Sequence, residues 1–336
     1  MMDSLFLKVA PPYDPGWVKF EKENNLDKPQ LWNTLPPIEY QPIYLKECRA
    51  RNKAMMAFGA RDHGLSHGIT VTKLTVPSSN GRFQIPVLQF RGHHSANHSP
   101  CTSILYCHGG GLVRGEADSE ELVCRRIVKE SELPNITVYA VGYRLMPQNP
   151  ASTCVSDCMD ALNYVKSVTP HNGKLLVVGS SSGGQLAAAI SQHAPAGTVH
   201  GVVLRAPVTS DAFSGMQYVP EKLRSLHTSA WEPSFWNTIL GQMKREVPRD
   251  GLKLMPLEEP DSVLKKLPRH FIQLCTNDSL YSDGFCYAKA LDDVGVEVKT
   301  DVIRGWPHAF WLFGPQLDRA LEADRTMLKG LAWVAK

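Results

Sequence analysis

The residues whose types and spacing could do chemistry lie in Val177-Val-Gly-Ser-Ser-Ser-Gly-Gly184. Gly179, Ser181 and Gly183 fit G-x-S-x-G, after an apolar run and before the helix-forming Gln185-Leu-Ala-Ala-Ala-Ile190. A sharp turn between strand and helix lifts a serine hydroxyl clear of a sheet, and glycine two residues away on each side permits the bend. The helix that starts there aims its positive end at the reacting centre. Ser181 is therefore the expected nucleophile, because neither Ser180 nor Ser182 has glycine at both −2 and +2. A second loop, His108-Gly-Gly-Gly111, follows the apolar run Ser103–Cys107. Acyl transfer needs backbone N–H groups aimed at the oxygen that becomes negative, and glycines let a backbone come that close. Neither G-x-x-x-x-G-K-[ST] nor G-x-G-x-x-G occurs at this turn, which argues against a nucleotide site.

A serine nucleophile needs a base, and the base needs an orienter. With this kind of turn the chain order is serine, acid, histidine. Five histidines follow Ser181. His193 ends the helix after the serine, His200 and His270 head strands at the wrong end of a parallel sheet, and His227 lies in a long connection. His308, in Gly305-Trp-Pro-His-Ala-Phe310 just past a strand, is the expected base. The acid belongs after the preceding strand, Phe271–Cys275, where Asp278 is the first choice. Asp283 is the alternative, although its place beside Gly284 before a helix suits an N-cap. Asp301 falls inside a strand, and Asp292 and Asp293 late in a helix.

The elements that must position these groups follow from hydrophobic patterning. Helices are expected over 44–58, 120–130, 155–168, 185–193, 285–294 and 317–334. Strands are expected over 71–76, 83–90, 103–107, 136–141, 175–178, 202–206, 270–275 and 296–303, with a hairpin turn at Ser78-Ser-Asn-Gly81. Short unbroken apolar strands alternating with helices predict a parallel sheet covered on both faces. The stretch 211–261 is far longer than an ordinary crossover. With residues 1–60 it is expected to form a helical cap over the strand C-termini, where ligands of such sheets bind. Its Trp231, Phe235 and Trp236 fall at helical spacing and either line the pocket or pack the cap. The chain is expected to be one domain over 1–336.

Composition limits the alternatives. The 336 residues carry a net charge of +3, with 43% hydrophobic and 21% charged residues. That is ordinary for a globular protein and gives no basic surface for nucleic acid. No run reaches the ~18 apolar residues of a membrane span. The opening MMDSLFLKVAPPYDPG lacks the basic charge of a secretory signal, so a cytoplasmic protein is expected. The eight cysteines form no C-x-x-C. Free buried thiols are expected rather than disulfides, Cys154 and Cys158 sharing a helix face without convincing metal partners. The tract Arg91-Gly-His-His-Ser-Ala-Asn-His98 reads as an exposed hairpin loop rather than a metal site. The triad chemistry needs no metal or organic cofactor.

These motifs resemble the hormone-sensitive lipase family of α/β-hydrolases, the branch with an HGGG loop. The resemblance runs from about Ser103 to the C-terminus. Tyr143-Arg-Leu-Met-Pro-Gln148 is similar to Y-R-L-A-P-E, Gly179–Gly184 to G-D-S-A-G-G, Asp278-Ser-Leu280 to D-x-L, and Gly305–Phe310 to G-x-x-H-x-F. It implies an α/β-hydrolase fold, a mostly parallel eight-stranded sheet with helices on both faces and a cap. It also implies the triad Ser181, Asp278 and His308. The oxyanion donors would be the N–H groups of Gly110, Gly111 and Ser182, with Gly109 close by. Asp157 falls where the family keeps an aspartate that ties loops together. Ser180 stands where the family has Asp or Thr, which puts support of the serine turn in question. The Pro-rich N-terminal segment and Tyr281-Ser-Asp-Gly284 look most like fungal members, often placed in natural-product pathways. The resemblance implies a serine carboxylesterase on small or medium apolar esters, acting as a monomer or homodimer. An acyltransferase, thioesterase or lactonase with the same triad is the alternative within the chemistry. A non-hydrolytic receptor is the alternative outside it, disfavoured because His308 is present.

Overall fold

The computed structural model describes residues 2–93, 101–241 and 245–336. Most of the histidine tract at 91–98 lies outside them. Two helices, α1 (Pro15–Glu23) and α2 (Pro37–Met55), precede a sheet of eight strands: β1 (Ile69–Pro77), β2 (Gln84–Gly92), β3 (Thr102–Cys107), β4 (Ile136–Val141), β5 (Lys174–Ser180), β6 (Gly201–Arg205), β7 (Arg269–Asn277) and β8 (Val298–Pro307). Their spatial order is β1-β2-β4-β3-β5-β6-β7-β8. β2 pairs antiparallel with both its neighbours, and every other pair is parallel. The hairpin at 78–81 sets the first register, Pro77 opposite Gln84.

Alternate residues of each central strand face opposite sides of the sheet. Leu105, Val177, Leu204 and Ile272 pack with Cys154, Cys158 and Leu162 of α4 (Ala151–Val168), Leu186 of α5 (Ser182–His193) and Phe285 of α7 (Tyr281–Asp293). Ile104, Leu176, Val203 and Phe271 pack on the other face with Ile127 of α3 (Glu121–Glu130) and Leu331 of α9 (Asp318–Val334). All eight cysteines are free, seven of them buried. No helix among the described residues is long and apolar enough to cross a membrane.

The segment 211–261 differs from the expected helices. It is a series of 3-10 turns, among them Ala212–Ser214, Glu221–Leu226 and Pro233–Phe235. Among the described residues its only α-helical turn is α6 (Asp261–Leu264), at its end. Pro220, Pro233, Pro248, Pro256 and Pro260 recur through it, each removing a backbone donor that a longer helix would need. Of its aromatic residues, Phe235 is fully buried and stacks near Tyr281, while Trp231 stays exposed.

The first residues, which showed no periodicity, straddle this segment and the C-terminal end of the sheet. Tyr281 Oη donates to Leu5 O, Thr228 Oγ1 to Leu7 O (2.7 Å) and Asn277 Nδ2 to Pro11 O (2.7 Å). Ala10 N donates to Ser234 Oγ (2.9 Å) and Asp14 N to Gly305 O (2.9 Å). Beyond this strap, Trp17 and Phe20 of α1 pack with Trp306 and Phe310. The C-terminal rim thus has its outer wall built from the N-terminal residues.

Candidate active site

Ser181 sits between the last residue of β5 and the first of α5, at φ 54° and ψ −121°. A non-glycine residue there is strained, and its surroundings hold it. Its N–H donates to Arg205 O (2.8 Å), while its own carbonyl accepts from Gly184 and Gln185. The glycines explain why the turn can close. A Cβ on Gly179 would run into the backbone of Gly183, and one on Gly183 into the carbonyls of Cys107 and His108. Ser180 Oγ is buried and has no hydrogen-bond partner, so the side chain at the position of the family's Asp braces nothing here.

The three residues chosen by motif stand in line. His308 Nε2 is 2.8 Å from Ser181 Oγ, and His308 Nδ1 is 2.7 Å from Asp278 Oδ2. Asp278 follows the end of β7, and its Oδ1 accepts the N–H of Leu280 (2.9 Å). His308 lies between the end of β8 and α8 (Phe310–Phe313). All three are buried. With an acceptor at Nδ1 and a hydroxyl at Nε2, the pairing assigns the Nδ1–H tautomer, which leaves Nε2 able to take a proton.

Asp283 is elsewhere. It is the third residue of α7, not an N-cap, because the helix already begins at Tyr281. Its Oδ2 accepts the N–H groups of Thr209 (2.7 Å) and Ser210 (2.8 Å), and its Oδ1 faces Ser210 Oγ (3.1 Å) and His227 Nε2 (2.9 Å). This buried cluster joins the loop after β6 and the 211–261 segment to α7. The other histidines also have structural partners. His200 Nδ1 accepts the Leu175 N–H, His193 faces Glu259, and His270 Nδ1 donates to Pro268 O.

The glycine loop is anchored at both ends. Gly109 N donates to Glu120 Oε1 (2.7 Å), and Leu112 N to Ser182 Oγ (3.2 Å). Gly109 is therefore corrected as a candidate donor, since its N–H is already spent on a buried carboxylate. Among the described residues the N–H groups of Gly110, Gly111 and Ser182 have no acceptor. Ser182 is the first residue of α5, where an N–H has no partner within the helix. Glu120 also accepts the Tyr106 hydroxyl. Burial raises its carboxyl pKa, and the Gly109 N–H and Tyr106 hydroxyl pull the other way.

Behind the loop, His108 stacks on Tyr143 at 4.3 Å, and Tyr143 Oη donates to His108 O (2.8 Å). Burial lowers the His108 pKa to about 4. Asp157, fully buried, accepts from Arg144 N (3.0 Å), Arg144 Nη2 (2.7 Å) and Ser78 Oγ (3.1 Å). It ties the Tyr143–Gln148 segment and the β1–β2 turn to α4. Glu120 was missed from sequence, and residues 1–60 were expected in the cap but not the extended strap that Leu5 to Asp14 form. An acid at a helix start looks like any first-turn carboxylate, and a strap without periodicity carries no pattern to read.

A family model described as alpha/beta hydrolase fold matches residues 104–312. A versiconal hemiacetal acetate esterase of Aspergillus parasiticus is 30% identical over 239 residues, covering 68% of this chain and 72% of that one. An ethyl acetate hydrolase of Pseudomonas putida is 29% identical, covering 75% and 79%. A protein named FAD-linked oxidoreductase pytB, of Aspergillus terreus, is 31% identical over 68% of this chain, which spans only 29% of that protein's length. In fold, the crystal structure of vibralactone cyclase aligns with a TM-score of 0.78 at 19% identity, covering 98% of this chain and 96% of that one. The chain belongs to the alpha/beta hydrolase fold family, in its hormone-sensitive-lipase-like branch, and is a carboxylic ester hydrolase.

Proposed function

We propose that this protein is a serine carboxylesterase for small to medium apolar esters, acetates among them, in a natural-product pathway. The single observation that carries the reading is the line from Asp278 through His308 to Ser181, at 2.7 and 2.8 Å. In this reading Ser181 Oγ attacks the acyl carbon as His308 Nε2 takes its proton. Asp278 keeps the ring oriented and stabilises it once charged. The negative oxygen meets the N–H groups of Gly110, Gly111 and Ser182. His308 returns the proton to the departing alcohol. Water, activated by the same ring, then releases the acid. Residues 1–60 and 211–261 act as the cap. The acetate preference draws on two relatives whose names specify acetate esters.

The test combines a fluorophosphonate probe with a panel of p-nitrophenyl esters of rising chain length. Peptide mass spectrometry should find the label on Ser181, and Ser181→Ala should lose both label and turnover. Ser180→Ala should keep most activity, and Ser182→Ala should keep the label on Ser181. Label on Ser180 or Ser182 in the unmodified protein overturns the assignment. Labelling of Ser181 without ester hydrolysis overturns water as the acyl acceptor.

A further inference from the structure

We infer that the ester substrate carries a carboxylate and that Arg114 binds it; the inference rests on the esterase reading above. Arg114 closes the stretch that begins at His108. Its N–H donates to Gly110 O (3.2 Å), so its backbone is fixed to the glycine loop. Its side chain crosses to α2, where the guanidinium lies 5.4 Å from the Tyr40 ring and 5.1 Å from the Tyr44 ring.

Those rings attract the charge but offer the guanidinium no acceptor. Arg114 Nε is buried without a hydrogen-bond partner. None of the described carboxylates forms an ion pair with Arg114, whereas the buried Arg126 and Arg205 both pair with Asp324. A guanidinium keeps its charge at any working pH, and its planar fork matches a carboxylate two bonds at a time.

The group faces a cavity of about 250 Å³, walled also by Phe20, Trp32, Tyr40 and Phe313. Arg51 lines it as well, so two guanidinium groups stand against the one carboxylate on its wall, Glu47. Glu47 is exposed and already accepts the Tyr40 hydroxyl (2.8 Å). Substrate pockets run to about 300–1,000 Å³, so this one suits an acidic end group with a flat apolar neighbour, not a whole ester. Its position fits that use. Arg114 lies three residues past Gly111, and Phe313 five residues past His308. The segment after the glycine loop and the helix after His308 thus each contribute a wall.

The experiment compares acid and neutral partners of one shape: 4-acetoxybenzoic acid with 4-acetoxybenzamide, and mono-4-nitrophenyl glutarate with 4-nitrophenyl pentanoate. The first pair puts the charge on the alcohol side, the second on the acyl side. In the unmodified protein kcat/KM should favour the acid at least tenfold in one pair. Arg114→Met should cut that ratio at least tenfold, and Arg114→Lys should restore part of it. If Arg114 only glues α2 to the loop, Arg114→Met lowers both members equally and the ratio stays, which overturns the inference. A second measurement needs no variant. Benzoate should inhibit p-nitrophenyl acetate hydrolysis at least tenfold more strongly than benzamide, and equal inhibition counts against the site. A protein that cleaves p-nitrophenyl acetate but shows ratios near one loses this inference alone. One that cleaves no ester and takes no fluorophosphonate loses the esterase reading with it.

Discussion

Replacing Asp278 with Asn changes one atom and one charge, and the surroundings dictate how the new amide sits. Oδ1 accepts the Leu280 N–H at 2.9 Å, and Oδ2 faces His308 Nδ1 at 2.7 Å. The amide oxygen must stay on Leu280, so the NH2 turns to His308. Nδ1 then has to accept, and the ring proton moves to Nε2. His308 now donates to Ser181 Oγ and can no longer take its proton. The same swap in the serine protease precedent lowers kcat about 10⁴-fold. At 1.36 kcal/mol per factor of ten, that is about 5 kcal/mol of barrier. KM should move little, since Asp278 touches the base and not the ester. Asp283→Asn is the control. Its carboxylate meets donors on both oxygens, so any placement of an NH2 opposes one side. Breaking such a buried cluster costs about 3–5 kcal/mol, or roughly 5–15 °C in Tm, with less than about tenfold in kcat. The assay is kcat and KM on p-nitrophenyl acetate plus a thermal melt for each variant. The reasoning is refuted if Asp283→Asn is inactive at unchanged Tm while Asp278→Asn turns over normally.

Two further outcomes follow from the same geometry. Ser181→Gly should abolish labelling yet raise Tm by about 2–4 °C, because glycine tolerates φ 54° where serine stores strain of roughly 1–3 kcal/mol; a lower Tm would contradict this. His108 and His270 are both held near pKa 4 by burial, against 6.5 unfolded. Below pH 6.5 the unfolded chain therefore binds protons that the folded one refuses, and stability falls as pH drops towards 4, by up to about 3 kcal/mol per ring. Urea midpoints from pH 4.5 to 7.5 should show that slope, and His270→Leu should flatten it; an equal slope in the variant speaks against His270 as a source.

What the sequence made legible was whatever local chemistry forces. The serine turn is written in Gly179 and Gly183 because backbone atoms fill the space any Cβ would take there. The sheet is written in its apolar runs, since a strand covered on both faces has no polar side to interrupt it. Strand β4 is observed over Ile136–Val141, the range expected from its apolar run. What could not be read depends on partners distant in sequence. Asp283 looked like a helix cap because its neighbours are local, yet its ligands are Thr209, Ser210 and His227. Gly109, expected close beside the donors Gly110 and Gly111, gives its N–H to Glu120, eleven residues on. The spacing of Trp231, Phe235 and Trp236 suggested a helix, but it carries no weight beside prolines that forbid one.

The N-terminal strap sets a schedule for synthesis. Its partners lie 221 to 291 residues further along the chain, ending at Gly305. At about 5–20 residues per second, Asp14 leaves the ribosome roughly 15–60 s before Gly305 exists to receive it. Until then the strap is held only in part, since Thr228 and Tyr281, the partners of Leu7 and Leu5, precede Gly305. The rim around Ser181 joins Asp14 to a residue made 291 positions later. A nascent chain paused between α5 and β8 carries the serine turn without His308.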